Sequence, residues 1–179
     1  MNKLFLVSGH SGSGKTTIMR RVMDNEIISF TTRPKRKGEV EGKDYKFITL
    51  DEFWRLKQQD KLIEWVKYAN NYYGVDKEEF ENKISKGHAY CIVDYHGMRQ
   101  LKNFYSNCVT IFIYTSYEQA IKQMRDRGDD EDKIKDRMVT YINELQNRKE
   151  YDYVIKNNKN KLNNTIEIIK NIIESEVGL

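Results

Sequence analysis

Gly9-His10-Ser11-Gly12-Ser13-Gly14-Lys15-Thr16-Thr17 is the stretch from which the rest of the chain is read. Gly9, four residues, then Gly14, Lys15 and Thr16 is the P-loop spacing. The residues before it, 4–7, are apolar, and after it Ile18, Met19, Val22 and Met23 recur three and four apart. Strand, glycine turn and helix form the context that gives this spacing its meaning. Gly12 and Gly14 permit a tight turn in which several backbone N–H groups converge on one anion. The N-terminus of the following helix adds partial positive charge. In such a loop Lys15 reaches the outer phosphates of a nucleotide and the Thr16 hydroxyl is a ligand for Mg²⁺.

Working outward, residues 4–8 read as a strand buried on both faces, followed by a helix over about residues 15–24. Residues 90–93 and 109–114 are further apolar runs, followed by helical patterns near 98–104 and 117–127. Ser116 and Gln119 have capping-box spacing for the second of these helices. A fourth run, 153–155, precedes a helix that lines up Leu162, Ile166, Ile169 and Ile173 on one face. Strands alternating with helices predict an α/β fold, a three-layer sandwich around a parallel sheet.

Two segments break that rhythm. Residues 29–87 hold short alternating stretches and two short helices, one starting at Asp51. The other starts at Asp76, with Glu79 completing a capping box and Phe80 and Ile84 four apart. This reads as a mixed α/β insertion between the first and second core strands. Residues 126–137 are dense in charge and lead into a helix whose Ile134, Met138, Tyr141 and Leu145 share one face. Beside a P-loop that segment reads as a lid; on charge alone it reads as a solvated loop and helix start. The expected organisation is a single domain over residues 1–179, with core 1–28, 88–125 and 138–179, insertion 29–87 and lid 126–137.

Composition sets limits on the rest. A chain of 179 residues is one domain, 39% hydrophobic residues suffice for a core, and 32% charged residues imply a heavily solvated surface. A net charge of +4 without a long basic stripe suits anionic small molecules rather than nucleic acid. Cys91 and Cys108 lie in apolar β-like runs and read as reduced core residues. The three histidines have no metal-ligand spacing. No apolar run reaches the length of a membrane span, and the N-terminal stretch is too short for a signal peptide, so a cytoplasmic protein is expected.

The insertion carries a polar constellation in residues 31–45. Arg33 and Arg36 are three apart with Pro34 stiffening the backbone between them. Two guanidinium forks grip one phosphate with charge-assisted bonds, and Tyr45 and Tyr73 add hydroxyl donors. Alone, such a basic run reads as a solvated loop; beside a P-loop it reads as a second phosphate site. Glu64 stands among apolar neighbours, where a carboxylate needs partners. It accepts two N–H donors side by side, which guanine presents on its Watson–Crick edge and adenine does not. An exposed glutamate on an edge strand is the other reading.

Together these motifs resemble the guanylate kinases, P-loop nucleoside monophosphate kinases that phosphorylate GMP with ATP. The resemblance covers nearly the whole chain: the P-loop, the signature over 31–45, Glu64-Trp65, Tyr72-Tyr73-Gly74, Asp94 with Gly97, Arg127-Gly128 and residues 151–155 follow in the family order. It implies that Arg33, Arg36, Tyr45 and Tyr73 hold the GMP phosphate, and that Ser29 and Glu64 contact guanine. It further implies that Asp94 is the carboxylate beside acceptor and metal, that Arg127 and Arg137 close over the ATP phosphates, and that Asn157 lies near the adenine. The P-loop residues Gly9, His10, Ser11, Gly12, Ser13, Gly14, Lys15, Thr16 and Thr17 would bind ATP. Thr16, with Asp94 through water, would hold Mg²⁺. Partners would be ATP and GMP or dGMP, with no nucleic acid or membrane, in a monomer or homodimer. The chain departs from the family pattern at Val75, where a serine or threonine is usual. His96 replaces a glutamine, His10 replaces a proline, and Gln123 stands at a lid-arginine position with Arg125 two residues on as a substitute. The alternatives are a P-loop kinase for another nucleotide or a phosphorylated sugar, and a non-catalytic protein-binding relative.

Overall fold

The computed structural model describes residues 1–68 and 70–178, apart from the Lys159 side chain. Its elements run β1 (Leu4–Ser8), α1 (Lys15–Val22), β2 (Glu26–Ile27), β3 (Phe30–Thr31), β4 (Lys46–Phe47), α2 (Leu50–Gln58), β5 (Leu62–Tyr68), β6 (Asn71–Asp76), α3 (Lys77–Lys86), β7 (Ala89–Ile92), α4 (Tyr95–Phe104), β8 (Cys108–Tyr114), α5 (Tyr117–Asp126), α6 (Glu131–Gln146), β9 (Tyr153–Lys156) and α7 (Leu162–Val177).

Side chains alternate across a strand, so β1 feeds both faces of its sheet. Leu4 and Leu6 join Met98 and Leu101 of α4 and Phe80 of α3 on one side. Phe5 and Val7 join Ile18 and Met19 of α1 and Ile169 and Ile173 of α7 on the other. The sheet is parallel with order β2-β7-β1-β8-β9. This is the α/β sandwich expected from the alternation, with five strands where the apolar runs mark four. The added edge strand, Glu26–Ile27, has two residues and is too short to show a period.

A second sheet of order β4-β3-β6-β5 lies between β2 and β7 in the chain. Its β3–β6 and β5–β6 pairs are antiparallel, and β3–β4 is parallel. The β5–β6 register shifts between Leu62 and Glu64. That bulge re-aims the side chains beyond it, which is why alternation alone does not fix the direction of Glu64.

Capping sets the helix limits. Thr49 and Glu52 form a full capping box that starts α2 at Leu50. Asp94 takes the Gly97 N–H at 2.8 Å and starts α4 at Tyr95, three residues ahead of the apolar pattern. Ser116 takes the Gln119 N–H at 3.3 Å and starts α5 as expected. The box expected at Asp76 does not form. Asp76 caps the Glu78 N–H at 2.8 Å, while Glu79 turns to the Ile28 N–H at 3.3 Å and to Lys46 at 3.2 Å. At the other end of α1, Met23 is extended, so the helix stops at Val22 rather than at Asp24. The charged stretch 126–137 is a short turn followed by the start of α6, which Asp130 caps through the Asp132 N–H at 3.0 Å. Ile134, Met138 and Tyr141 of α6 are buried against Ala120 and Met124 of α5.

Candidate active site

The P-loop turns between β1 and α1 with glycines at positive φ. A Cβ on Gly9 (φ 138°) would lie 1.9 Å from the Ile113 carbonyl oxygen, and one on Gly12 (φ 76°) 2.6 Å from that of Ala120. Both positions therefore require glycine on two counts. Lys15 opens α1 and folds over the loop, its Nζ bonded to the carbonyls of Gly9 and His10, the latter at 2.9 Å. Burial lowers its pKa to about 8; Glu144 opposes that shift and Arg127 adds to it.

His10, Ser13 and Asn157 do not reach the wall of the cleft that the loop borders; they brace it from behind. His10 is 2% exposed. Its Nε2 accepts the Thr115 N–H at 3.0 Å and its Nδ1–H donates to the Ser11 carbonyl at 2.9 Å. That pair requires the neutral Nδ1–H tautomer, and burial, with Lys15 nearby, lowers the pKa to about 4. The ring packs on Tyr141 of α6 at 4.5 Å, and the Tyr141 hydroxyl donates to the Thr115 carbonyl at 2.8 Å. Asn157 donates from Nδ2 to the Ser13 carbonyl at 2.9 Å and accepts from Thr165 at 3.3 Å.

The cleft holds about 480 Å³. Its floor includes Ser11, Gly12, Lys15, Thr16 and Thr17, and its far wall Ser29, Arg33, Arg36, Tyr45, Glu64, Tyr73 and Asp94. Gln123, Arg127, Arg137 and Glu144 enter from α5, α6 and the turn between them. Cationic residues from the P-loop, the second sheet's loops and the α5–α6 region thus face one space.

Acids hold those cations in place. Glu39 takes the Arg33 fork at 2.7 and 3.0 Å and accepts the Arg36 N–H at 2.7 Å, while the Arg36 guanidinium stays 4.0 Å away. Burial opposes the charge on Arg33, but the Glu39 bonds raise its pKa. Arg36 is lowered instead, by burial and by the positive charges of Arg33 and Arg127. Tyr45 and Tyr73 lie edge to face at 5.8 Å, with Arg33 over the Tyr45 ring at 5.3 Å. Asp129 bonds Arg127 and also takes Arg137 at 2.9 Å. Arg125 does not substitute at the cleft: it is exposed and held by Glu131 at 2.5 and 2.8 Å, and Gln123 occupies the wall.

Glu64 is 2% exposed and lines the cleft, so the exposed edge-strand reading fails. Burial first, then Asp94, raises its pKa to about 8, against a bond from the Val75 backbone. A Cβ on Gly97 would lie 2.5 Å from Glu64 Oε1, so α4 packs this close because that residue has no side chain. Val75 is fully buried among Phe80, Ala89 and Cys91, off the cleft wall.

Sequence reasoning missed Glu144 and Tyr68. Glu144 accepts from Thr140 at 3.1 Å and from the Tyr68 hydroxyl at 3.4 Å. Burial raises its pKa, with Lys15 opposing. The available signal was spacing: Glu144 lies one turn and two turns from Thr140 and Arg137, on the α6 stripe beside its apolar face.

The profile of the guanylate kinase family matches residues 1–176. A guanylate kinase of Blochmanniella floridana is 40% identical over 164 residues, spanning 86% of this chain and 78% of that protein. One of Fusobacterium nucleatum is 37% identical over 180 residues, spanning 96% and 97%. The crystal structure of guanylate kinase from Anaplasma phagocytophilum superposes with a TM-score of 0.77 at 30% identity, over 98% of this chain and 86% of that one. With the P-loop and the cation-lined cleft already in hand, these matches mean that the chain belongs to the guanylate kinase family.

Proposed function

We propose that the chain transfers the γ-phosphoryl group of ATP to GMP or dGMP, with the P-loop holding the donor and the opposite wall holding the acceptor. The observation that carries this is the convergence of Lys15, Arg33, Arg36, Arg127 and Arg137 on a cleft that also contains the buried Glu64. Phosphoryl transfer asks a protein to align donor and acceptor and to neutralise spreading charge. Arg33, Arg36, Tyr45 and Tyr73 grip the acceptor phosphate. Glu64 and Ser29, both on the cleft wall, read the guanine edge. Asp94 faces the acceptor. Lys15 leaves the Gly9 and His10 carbonyls for the β- and γ-phosphates, and Arg127 and Arg137 leave Asp129 to close over the transferred group. Residues 126–137 act as the lid and 29–87 as the acceptor-binding insertion, whose closure excludes water.

Mg²⁺ fits this site. The Thr16 hydroxyl is exposed to the cleft at the first turn of α1, and Asp94 offers a hard oxygen across it. When bound, the ion supplies charge neutralisation on the phosphate oxygens. Asn157 serves as a brace for the P-loop beneath the adenine side. Among the described residues no helix is long and apolar enough to cross a membrane, and we read the protein as cytoplasmic. ADP formation from MgATP with GMP, dGMP, AMP, UMP and dTMP in parallel is the test. Turnover confined to GMP and dGMP is expected; turnover with another base would overturn the role given to Glu64.

A further inference from the structure

We infer that Arg20 is a positioning residue for the acceptor, fixing the 40–45 turn, and with it Tyr45, against the helix that carries Lys15 and Thr16. The inference rests on the acceptor reading of the cleft. Arg20 lies on α1 one turn beyond Thr16. Its guanidinium makes three bonds to two other parts of the chain: Nε to Glu26 Oε2 at 2.8 Å, Nη1 to Asp44 Oδ1 at 2.7 Å, and Nη2 to the Lys43 carbonyl at 2.7 Å. Asp44 completes the strap by accepting the Val40 N–H on Oδ2 at 2.7 Å. The turn is closed from within as well, by the Gly42 N–H on the Tyr45 carbonyl at 2.9 Å and the Asp44 N–H on that of Val40 at 3.0 Å. It therefore moves as a unit, and Arg20 fastens that unit to the core.

The side chains of Arg20, Glu26 and Asp44 are 26%, 14% and 21% exposed. The bonds to Glu26 and Asp44 are part-buried, where water competes less with charge-assisted pairs, while the bond to the Lys43 carbonyl is exposed. Asp44 immediately precedes Tyr45, whose ring supports Arg33 and lines the cleft. One guanidinium thus links the strand-edge acid of the core, the P-loop helix and the acceptor-phosphate turn. It sets the separation between the two phosphate sites, the quantity that in-line transfer depends on. Arg20 itself is absent from the cleft wall, so it acts through Tyr45 and not on the substrate.

The test is two-substrate steady-state kinetics on the full chain carrying Asp44→Asn, Arg20→Met or both, with thermal melting alongside. Asp44→Asn keeps an acceptor for the Val40 N–H and leaves Arg20 its bonds to Glu26 and the Lys43 carbonyl, so it removes the charged fastening to the turn alone and gives a readable variant even where Arg20→Met fails to fold. Each single substitution is expected to raise KM for GMP about tenfold, with KM for ATP changed by less than about twofold. The double variant should be no worse than the worse single, because both remove one strap. Arg20→Lys, which keeps the charge without the fork, should recover part of the GMP effect. An unchanged KM for GMP in Asp44→Asn overturns the inference. So do additive effects in the double variant, or equal losses for both substrates that track the melting temperature. Failure of the acceptor reading shows separately, as a wild-type protein that does not turn over GMP.

Discussion

Removing the charge of Glu64 tests the guanine reading most directly, because the structure fixes both a sign and a size. The side chain is 2% exposed and its pKa stands near 8, raised by burial and then by Asp94. At pH 7 about nine in ten free sites are therefore neutral, and at pH 6 about ninety-nine in a hundred. A neutral carboxyl offers one donor and one acceptor, whereas paired N–H donors on guanine require two acceptors. GMP selects the ionised form, so its KM should fall about tenfold from pH 6 to pH 7, fall less to pH 8, and level off above it. Glu64→Gln loses a charge-assisted bond worth about 1.5–3 kcal/mol, and with it this pH dependence. The informative quantity is the ratio of variant to wild-type KM for GMP, in which the ionisation of the GMP phosphate cancels. It should be small at pH 6 and grow to about tenfold or more at pH 8. A ratio that stays constant from pH 6 to 8 would refute the reasoning. Stability carries the same signature. The folded-state pKa lies above the unfolded 4.5, so the wild type loses stability as pH rises from 4.5 toward 8, while the variant lacks that slope.

Three other outcomes follow from the site. Lys15, with its pKa lowered to about 8, loses its charge as pH rises through that value, so kcat/KM for ATP should fall along an alkaline limb there; Lys15→Ala should cut kcat by about a hundredfold or more with the melting temperature near wild type. His10→Ala strands the Thr115 N–H and should cost about 1–3 kcal/mol in urea unfolding. The His10 pKa of about 4 lies below the ordinary 6.5, so its contribution is complete above pH 6.5 and is lost as pH falls toward 4, and the variant should lack that acid limb. Asn157→Ala frees the Ser13 carbonyl and should raise KM for ATP about tenfold while sparing KM for GMP.

Local signals carried much of the fold. The P-loop glycines, the alternation of apolar strands with amphipathic helices, and the Ser116 cap are short-range patterns, and each appears where the chain implies it. What sequence concealed depends on partners distant along the chain. Glu26–Ile27 is a strand only because β7 supplies its hydrogen bonds. Glu79 has the spacing of a cap, three residues from Asp76, but Lys46 and the Ile28 N–H compete for it and win. The direction of Glu64 follows from a bulge that no periodicity announces. Asn157 and His10 have the motif places of nucleotide contacts, and burial makes their side chains braces behind the loop. Arg125 lies close to Gln123 in sequence but on another side of α5, where Glu131 holds it.

The acids interleaved with the arginines explain how so dense a cationic cleft is stable in the folded chain. Like charges this close raise the energy of the compact state unless each is compensated. Glu39 and Asp129 compensate Arg33, Arg127 and Arg137 through direct bonds, at the same time aiming their forks. Arg36 is treated differently: its guanidinium is 4.0 Å from Glu39, and burial together with Arg33 and Arg127 lowers its pKa. A phosphate entering this wall must compete with Glu39 for Arg33, whereas at Arg36 it relieves an electrostatic cost already present. The two arginines of one motif therefore differ in kind. Arg33 supplies a pre-aimed fork already held by Glu39, whereas Arg36 carries a charge that burial and its cationic neighbours disfavour, so an anion at this wall displaces an existing partner at one arginine and offsets a cost at the other.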